Sequence, residues 1–111
     1  MDANINNKIK NELENNEICL FMKGTPEVPQ CGFSLAVSNV LKHLGVNFIG
    51  INVLEDNEIR EGIKAYSDWP TIPQLYIKKE FIGGCDIVKE MYEKNELQKK
   101  LEDKKISFKK N

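Results

Sequence analysis

Two pairs of apolar runs in this chain are joined by connections of opposite kinds, and that contrast limits the possible folds more than any other feature. Ile18 to Lys23 and Phe48 to Val53 read as strands. Between them lies a helical pattern in which Phe33, Val37, Val40, Leu41 and Leu44 share one face, with Gly45 where a helix stops. A helical crossover makes its flanking strands parallel, and the connection right-handed. Gln74 to Ile77 and Phe81-Ile82, by contrast, are separated only by Lys78-Lys79-Glu80, which suits an antiparallel hairpin. Ile5, Ile9 and Leu13 at spacing four predict a first amphipathic helix. Asp56 or Asn57 is placed to cap a third helix with the stripe Ile59, Ile63 and Tyr66. A closing helix is expected from about Asp86, with Val88, Met91 and Tyr92 inward, continuing past Asn95 through Leu97 and Leu101. The order α-β-α-β-α-β-β-α predicts an α/β fold, a mixed four-stranded sheet flanked by helices on both faces.

No repeat or linker interrupts this order, so residues 1–111 are expected to form one domain with a modest core, ending in a Lys-rich flexible tail at about 104–111. Sixteen basic residues stand against 17 acidic ones, and no basic face is evident before that tail, which argues against nucleic acid as a partner. No apolar run approaches the roughly 20 residues of a membrane span. The start, residues 1–16, is Asn-rich, carries Glu12 and Glu14 and lacks Arg, and reads as neither a secretory signal nor a transit peptide. Three cysteines, an odd number, fit a reducing compartment and not a disulfide framework.

Those cysteines differ in setting. Cys19 lies inside Ile18-Cys19-Leu20-Phe21-Met22 and reads as a buried packing residue. Cys31 opens Cys31-Gly32-Phe33-Ser34, where Ser34 occupies the position at which a dithiol motif has its second cysteine. A hydroxyl cannot form a disulfide, so any second sulfur must come from elsewhere. Cys31 falls at a helix N-terminus, where free N–H groups and the helix dipole favour a thiolate, and Lys23 at the end of the preceding strand adds positive charge. Cys85 follows two glycines at a loop-to-helix junction, and its role stays open.

Three further features could face a ligand. Trp69-Pro70-Thr71-Ile72-Pro73-Gln74 is a constrained turn before a strand, and sequence leaves the isomer at Ile72-Pro73 open. Were that bond cis, the Ile72 backbone would be available to an extended peptide ligand. Gly83-Gly84-Cys85-Asp86 bends into a helix start able to receive an anion, and Asp86 either caps that helix or accepts from a ligand amine. Arg60, the only arginine, either holds a carboxylate, with Lys64 one turn later, or is an ordinary surface residue. His43 is expected to be exposed and inert.

Lys23-Gly24-Thr25-Pro26-Glu27, Cys31-Gly32-Phe33-Ser34, Trp69-Pro70-Thr71-Ile72-Pro73-Gln74 and Gly83-Gly84-Cys85-Asp86 occur in the order found in monothiol glutaredoxins, and the chain resembles that family over about residues 5–103. The resemblance implies a thioredoxin fold, a cis bond before Pro73 and a glutathione groove. It makes Cys31 both the active thiol and a metal ligand. It implies that Lys23 and Arg60 hold the glycine carboxylate of glutathione, that Ile72 and Pro73 meet the cysteinyl backbone, and that Cys85 and Asp86 take the γ-glutamyl end. The loop Val28-Pro29-Gln30 and the residue Ile72 are places where the family varies. The implied function is an iron–sulfur carrier, a homodimer when loaded, which accepts a [2Fe–2S] cluster from a donor and hands it to acceptor apoproteins. Such a cluster takes four thiolates, which two copies of Cys31 and two glutathiones would supply. The alternative is a glutathione-dependent oxidoreductase that resolves mixed disulfides through Cys31. A third reading is an adaptor whose loaded form docks a BolA-type protein. The implied location is the bacterial cytoplasm or a mitochondrial or other organellar matrix.

Overall fold

The computed structural model describes residues 3–110. Along the chain lie α1 (Ala3–Asn15), β1 (Ile18–Met22), α2 (Gly32–His43), β2 (Ile49–Asn52), α3 (Asn57–Ser67), β3 (Gln74–Ile77), β4 (Glu80–Gly83), α4 (Cys85–Glu93) and α5 (Glu96–Asp103). The strands form one sheet in the order β2-β1-β3-β4. β1 runs parallel to β2, with Cys19 opposite Ile49, and antiparallel to β3, with Phe21 opposite Gln74. β3 and β4 pair antiparallel, with an irregularity at Leu75/Tyr76. The helical crossover and the short hairpin therefore act as their lengths dictate. The result is the thioredoxin arrangement.

β1 sits between two neighbours and is buried along its whole length. Its alternating side chains divide the core. Ile18, Leu20 and Met22 join Val37, Leu41, Val88, Leu97 and Leu101 on one side of the sheet. Cys19 and Phe21 join Ile9, Leu13, Ile63 and Tyr76 on the other. α1 and α3 meet closely at Gly62, where a Cβ would lie 2.3 Å from Ile5 Cγ2. Asp56 caps α3, its Oδ1 accepting from the N–H groups of Glu58 (3.0 Å) and Ile59 (3.3 Å).

Four expectations change. The closing helix is two helices, broken at Lys94-Asn95 where Asn95 takes φ 63°. Asn tolerates the left-handed region, and the break lets Val88, Leu97 and Leu101 all reach the core although no single helical face holds them. Phe33, expected on the inward face of α2, is 61% exposed, because the buried face of that helix runs instead through Ser34, Val37, Ser38 and Leu41. Tyr66 sits at the edge of its cluster, 36% exposed. The expected Lys-rich tail is docked over residues 106–109: Ile106 and Phe108 pack on the first core cluster, and the Lys109 N–H donates to the Leu44 carbonyl at 2.6 Å. Apolar side chains at alternating positions, spaced between lysines, give that segment a face to bury.

Candidate functional site

Lys23 leaves the end of β1 and Cys31 begins α2, and the loop between them turns back tightly enough to set the two residues near one another. Gly24 makes that turn possible. Its φ is 92°, and a Cβ there would lie 2.5 Å from the Val28 carbonyl oxygen and 2.6 Å from the Gln30 nitrogen. The loop is stitched by Thr25 N–H to the Val28 carbonyl (3.2 Å), Val28 N–H to the Thr25 carbonyl (3.1 Å) and Gln30 N–H to the Lys23 carbonyl (2.9 Å). From β2, the Asn52 side-chain oxygen accepts from the Gly24 N–H at 2.9 Å.

Cys31 is the N-cap residue of α2, with extended backbone (φ −151°, ψ 136°) and a partly exposed thiol. The thiol closes no cap hydrogen bond of its own. The Ser34 N–H nonetheless lies near enough to favour the thiolate, aided by the Phe33 N–H, the Lys23 charge and the Ser34 hydroxyl; together they outweigh partial burial and bring the thiol below its ordinary range. Ser34 is completely buried, and its Oγ accepts from the Lys23 N–H at 3.0 Å. The residue that replaces a second thiol thus ties α2 to the end of β1. The sequence shows only that a sulfur is missing there; this contact depends on the helix's rotation about its axis.

Lys23, Cys31, Arg60, Ile72, Pro73, Cys85 and Asp86, every expected site residue, line one open cavity of about 690 Å³. Arg60 and Lys64 project from α3, and the Arg60 Nε is buried with no partner among the described residues. Lys64 also lines the cavity, sharing its charge with Glu61 at 3.3 Å. Facing them is the loop from Trp69 to Pro73, in which the Ile72-Pro73 bond is cis. Gly83 (φ 149°) and Gly84 bring the start of α4 against that loop, where a Cβ on Gly84 would lie 3.3 Å from the Pro73 carbonyl oxygen. Gly84, with no side-chain bond, is the N-cap of α4, so Asp86 does not cap; it is exposed in the first turn and lines the cavity. Burial raises the Cys85 thiol above its ordinary range, and the nearby Cys31 adds to this. Cys19 does not line the cavity; it is buried in the second core cluster, where desolvation pushes its thiol up to about 12. His43 is exposed, and its ring meets Tyr92 edge-on at 6.0 Å.

Sequence reasoning missed Phe33 as a cavity wall, whereas Trp69 lies in the turn expected to face a ligand. Phe33 was hidden because it fits the apolar period of α2.

The cavity groups one activated thiol with cationic side chains and a proline-rich loop, and known proteins are similar to this chain in sequence and in fold. The family model described as glutaredoxin matches residues 18–82, more than half of the chain. A Lachancea kluyveri protein named monothiol glutaredoxin-5, mitochondrial, is 58% identical over 98 residues, covering 86% of this chain and 68% of its own. A Rickettsia typhi protein named probable monothiol glutaredoxin 2 is 57% identical over 95 residues, covering 86% of each. The chain belongs to the monothiol glutaredoxins. Among solved structures, that of reduced poplar apo GrxS14 superposes on this glutaredoxin with a TM-score of 0.81 at 46% identity, covering 89% of this chain and 91% of that one. Among the described residues, no helix of this glutaredoxin is long and apolar enough to cross a membrane.

Proposed function

We propose that this glutaredoxin binds glutathione in the cavity and, using the bound thiol, carries a [2Fe–2S] cluster from a donor to acceptor apoproteins. One observation carries the reading: the only thiol lowered in pKa faces the cavity, while the position of a resolving thiol holds a buried serine whose oxygen is engaged by the Lys23 N–H. A [2Fe–2S] cargo takes four thiolates. Among the described residues no group of three or more His, Cys, Asp or Glu is placed to hold a metal ion. Cys31 offers one ligand, so two chains and two glutathiones complete the set. Half of that set is exchangeable, which favours transfer over storage.

In this reading Lys23 and Arg60 hold the glycine carboxylate, and the unpartnered Arg60 Nε supports that role. The Ile72 backbone beside Pro73 pairs with the cysteinyl unit, and Cys85 and Asp86 receive the γ-glutamyl end. Val28, Phe33 and Leu35, exposed by 60%, 61% and 43% near Cys31, offer apolar contact to a second copy, to an acceptor or to a BolA-type protein. Residues 1–111 act as one domain, in a reducing compartment such as a bacterial cytoplasm or mitochondrial matrix, where the three free cysteines stay reduced.

The lowered Cys31 also favours a second reading, removal of glutathione from mixed disulfides. The Cys31 thiolate attacks the glutathione sulfur and the substrate thiolate leaves; a second glutathione thiolate then attacks the Cys31–glutathione disulfide and releases oxidised glutathione. Anaerobic reconstitution with iron, sulfide and glutathione separates the readings. The carrier gives visible cluster absorption and a glutathione-dependent dimer by light scattering. A protein that stays colourless but reduces glutathionylated peptide leaves the enzyme alone standing.

A further inference from the structure

Gln74 begins β3 immediately after Pro73 and is completely buried, an expensive place for an amide unless its hydrogen bonds are made. They are made, and two go to the cavity wall. The Nε2 donates to the carbonyls of Trp69 (3.0 Å) and Thr71 (3.2 Å), and the Oε1 accepts from the Tyr76 hydroxyl at 3.3 Å. Tyr76 is fixed in turn by its ring, which meets Phe21 at 5.6 Å and Phe81 at 5.4 Å. The segment 69–73 lies in neither helix nor strand, and its two prolines have no N–H with which to brace it. One side chain, reaching from behind, meets both carbonyls on either side of Pro70 while the front of the same segment lines the cavity.

We infer that Gln74 is a positioning residue for ligand binding: by holding the Trp69 and Thr71 carbonyls inward, with Tyr76 behind it, it sets the shape of the wall against which glutathione lies. This rests on the glutathione reading above. The function of Gln74 is invisible in a motif comparison of ligand contacts, because its own atoms lie beneath the wall.

Trp69 is the only tryptophan and stands on this wall, so its fluorescence reports the loop directly. The experiment compares wild type, Gln74→Met (similar length, no donors), Gln74→Glu (acceptor kept, amide donors lost) and Tyr76→Phe. It records Trp69 emission, glutathione titration midpoint, far-UV circular dichroism and the rate of Cys31 alkylation by iodoacetamide. Loss of the two donated bonds is expected to raise the glutathione midpoint about tenfold or more in both Gln74 variants, with a shifted Trp69 emission before ligand is added. Cys31 alkylation stays at the wild-type rate, since Cys31 is held by α2 and β1. Tyr76→Phe has a smaller effect, and adding it to Gln74→Met weakens binding no further, because Tyr76 acts through Gln74. A folded Gln74→Met protein with wild-type emission and midpoint overturns the inference while leaving the glutathione reading intact. A wild-type protein that does not titrate with glutathione overturns that reading, and the inference with it. Where Gln74→Met does not fold, Tyr76→Phe decides: unchanged emission and midpoint overturn the inference, and a shift in both supports it.

Discussion

Replacing Ser34 by alanine removes a single oxygen from a fully buried position, and two separate consequences can be worked out from the contacts of that oxygen. The first is stability. The Lys23 N–H loses the acceptor it has at 3.0 Å, in a place where the serine oxygen was completely buried. An orphaned donor of this kind costs about 1–3 kcal/mol. With a urea dependence of about 1–3 kcal/mol per molar for a small domain, the unfolding midpoint is expected to fall by about 1 M. The second is reactivity. The Ser34 hydroxyl is one of the groups that lower the Cys31 thiol from 9.0, so its loss moves the alkylation midpoint up toward that value without reaching it, because the Ser34 and Phe33 N–H groups and Lys23 remain. The sign of the pH effect follows. A thiol whose folded value is lowered adds stability that is complete above 9.0 and disappears as pH falls through the lowered value. The gap between wild type and Ser34→Ala is therefore expected to widen from neutral to alkaline pH. Urea titrations and iodoacetamide rates across that range measure both effects. An alanine variant matching wild type in midpoint and in alkylation profile refutes the view of Ser34 as a tie between strand, helix and thiol.

Other outcomes follow from the same geometry. Cys31→Ser is expected to abolish the visible absorption of reconstituted protein, whereas Cys19→Ser, buried in the core and outside the cavity lining, keeps it. Lys23→Ala or Arg60→Ala is expected to raise the glutathione needed for reconstitution about tenfold, the loss of one partly exposed charge-assisted bond of about 1.5 kcal/mol; unchanged dependence in both removes the carboxylate assignment. Gly62→Ala places a methyl 2.3 Å from Ile5 Cγ2 and is expected to cost about 1–3 kcal/mol in denaturant titrations by forcing α1 off α3. Removing the cluster with chelator is expected to return a loaded dimer to monomers by light scattering, because each chain has apolar core clusters of its own.

Much of the fold follows from rules that operate over short stretches. Apolar spacing located α1 and α3, and connection length set the directions of β1, β2, β3 and β4. What those rules could not reach depended on three-dimensional context. Asn95 in the left-handed region interrupts a run whose periodicity continues through it, so one expected helix is two. Phe33 keeps the right spacing, yet the buried face of α2 runs through Ser34, Val37, Ser38 and Leu41 and leaves it 61% exposed. The expected site residues do converge on one cavity, yet the groups that brace it were illegible. Ser34 looked like a missing sulfur, and Gln74 looked like the polar first residue of a strand, because burial and the direction of a hydrogen bond are properties of the assembled fold.

Cys19 gives this protein a built-in clock. Its Sγ lies 3.3 Å from the Glu12 carbonyl oxygen at the end of α1, entirely enclosed, and its thiol is pushed up to about 12. A thiol reagent cannot reach it while α1 lies on the sheet, and at neutral pH almost none of it is ionised. Each labelled Cys19 therefore marks a molecule whose first helix has lifted or whose whole chain has opened. In a Cys31→Ser/Cys85→Ser background, where Cys19 is the only thiol left, the rate of its modification counts those openings under native conditions, without denaturant.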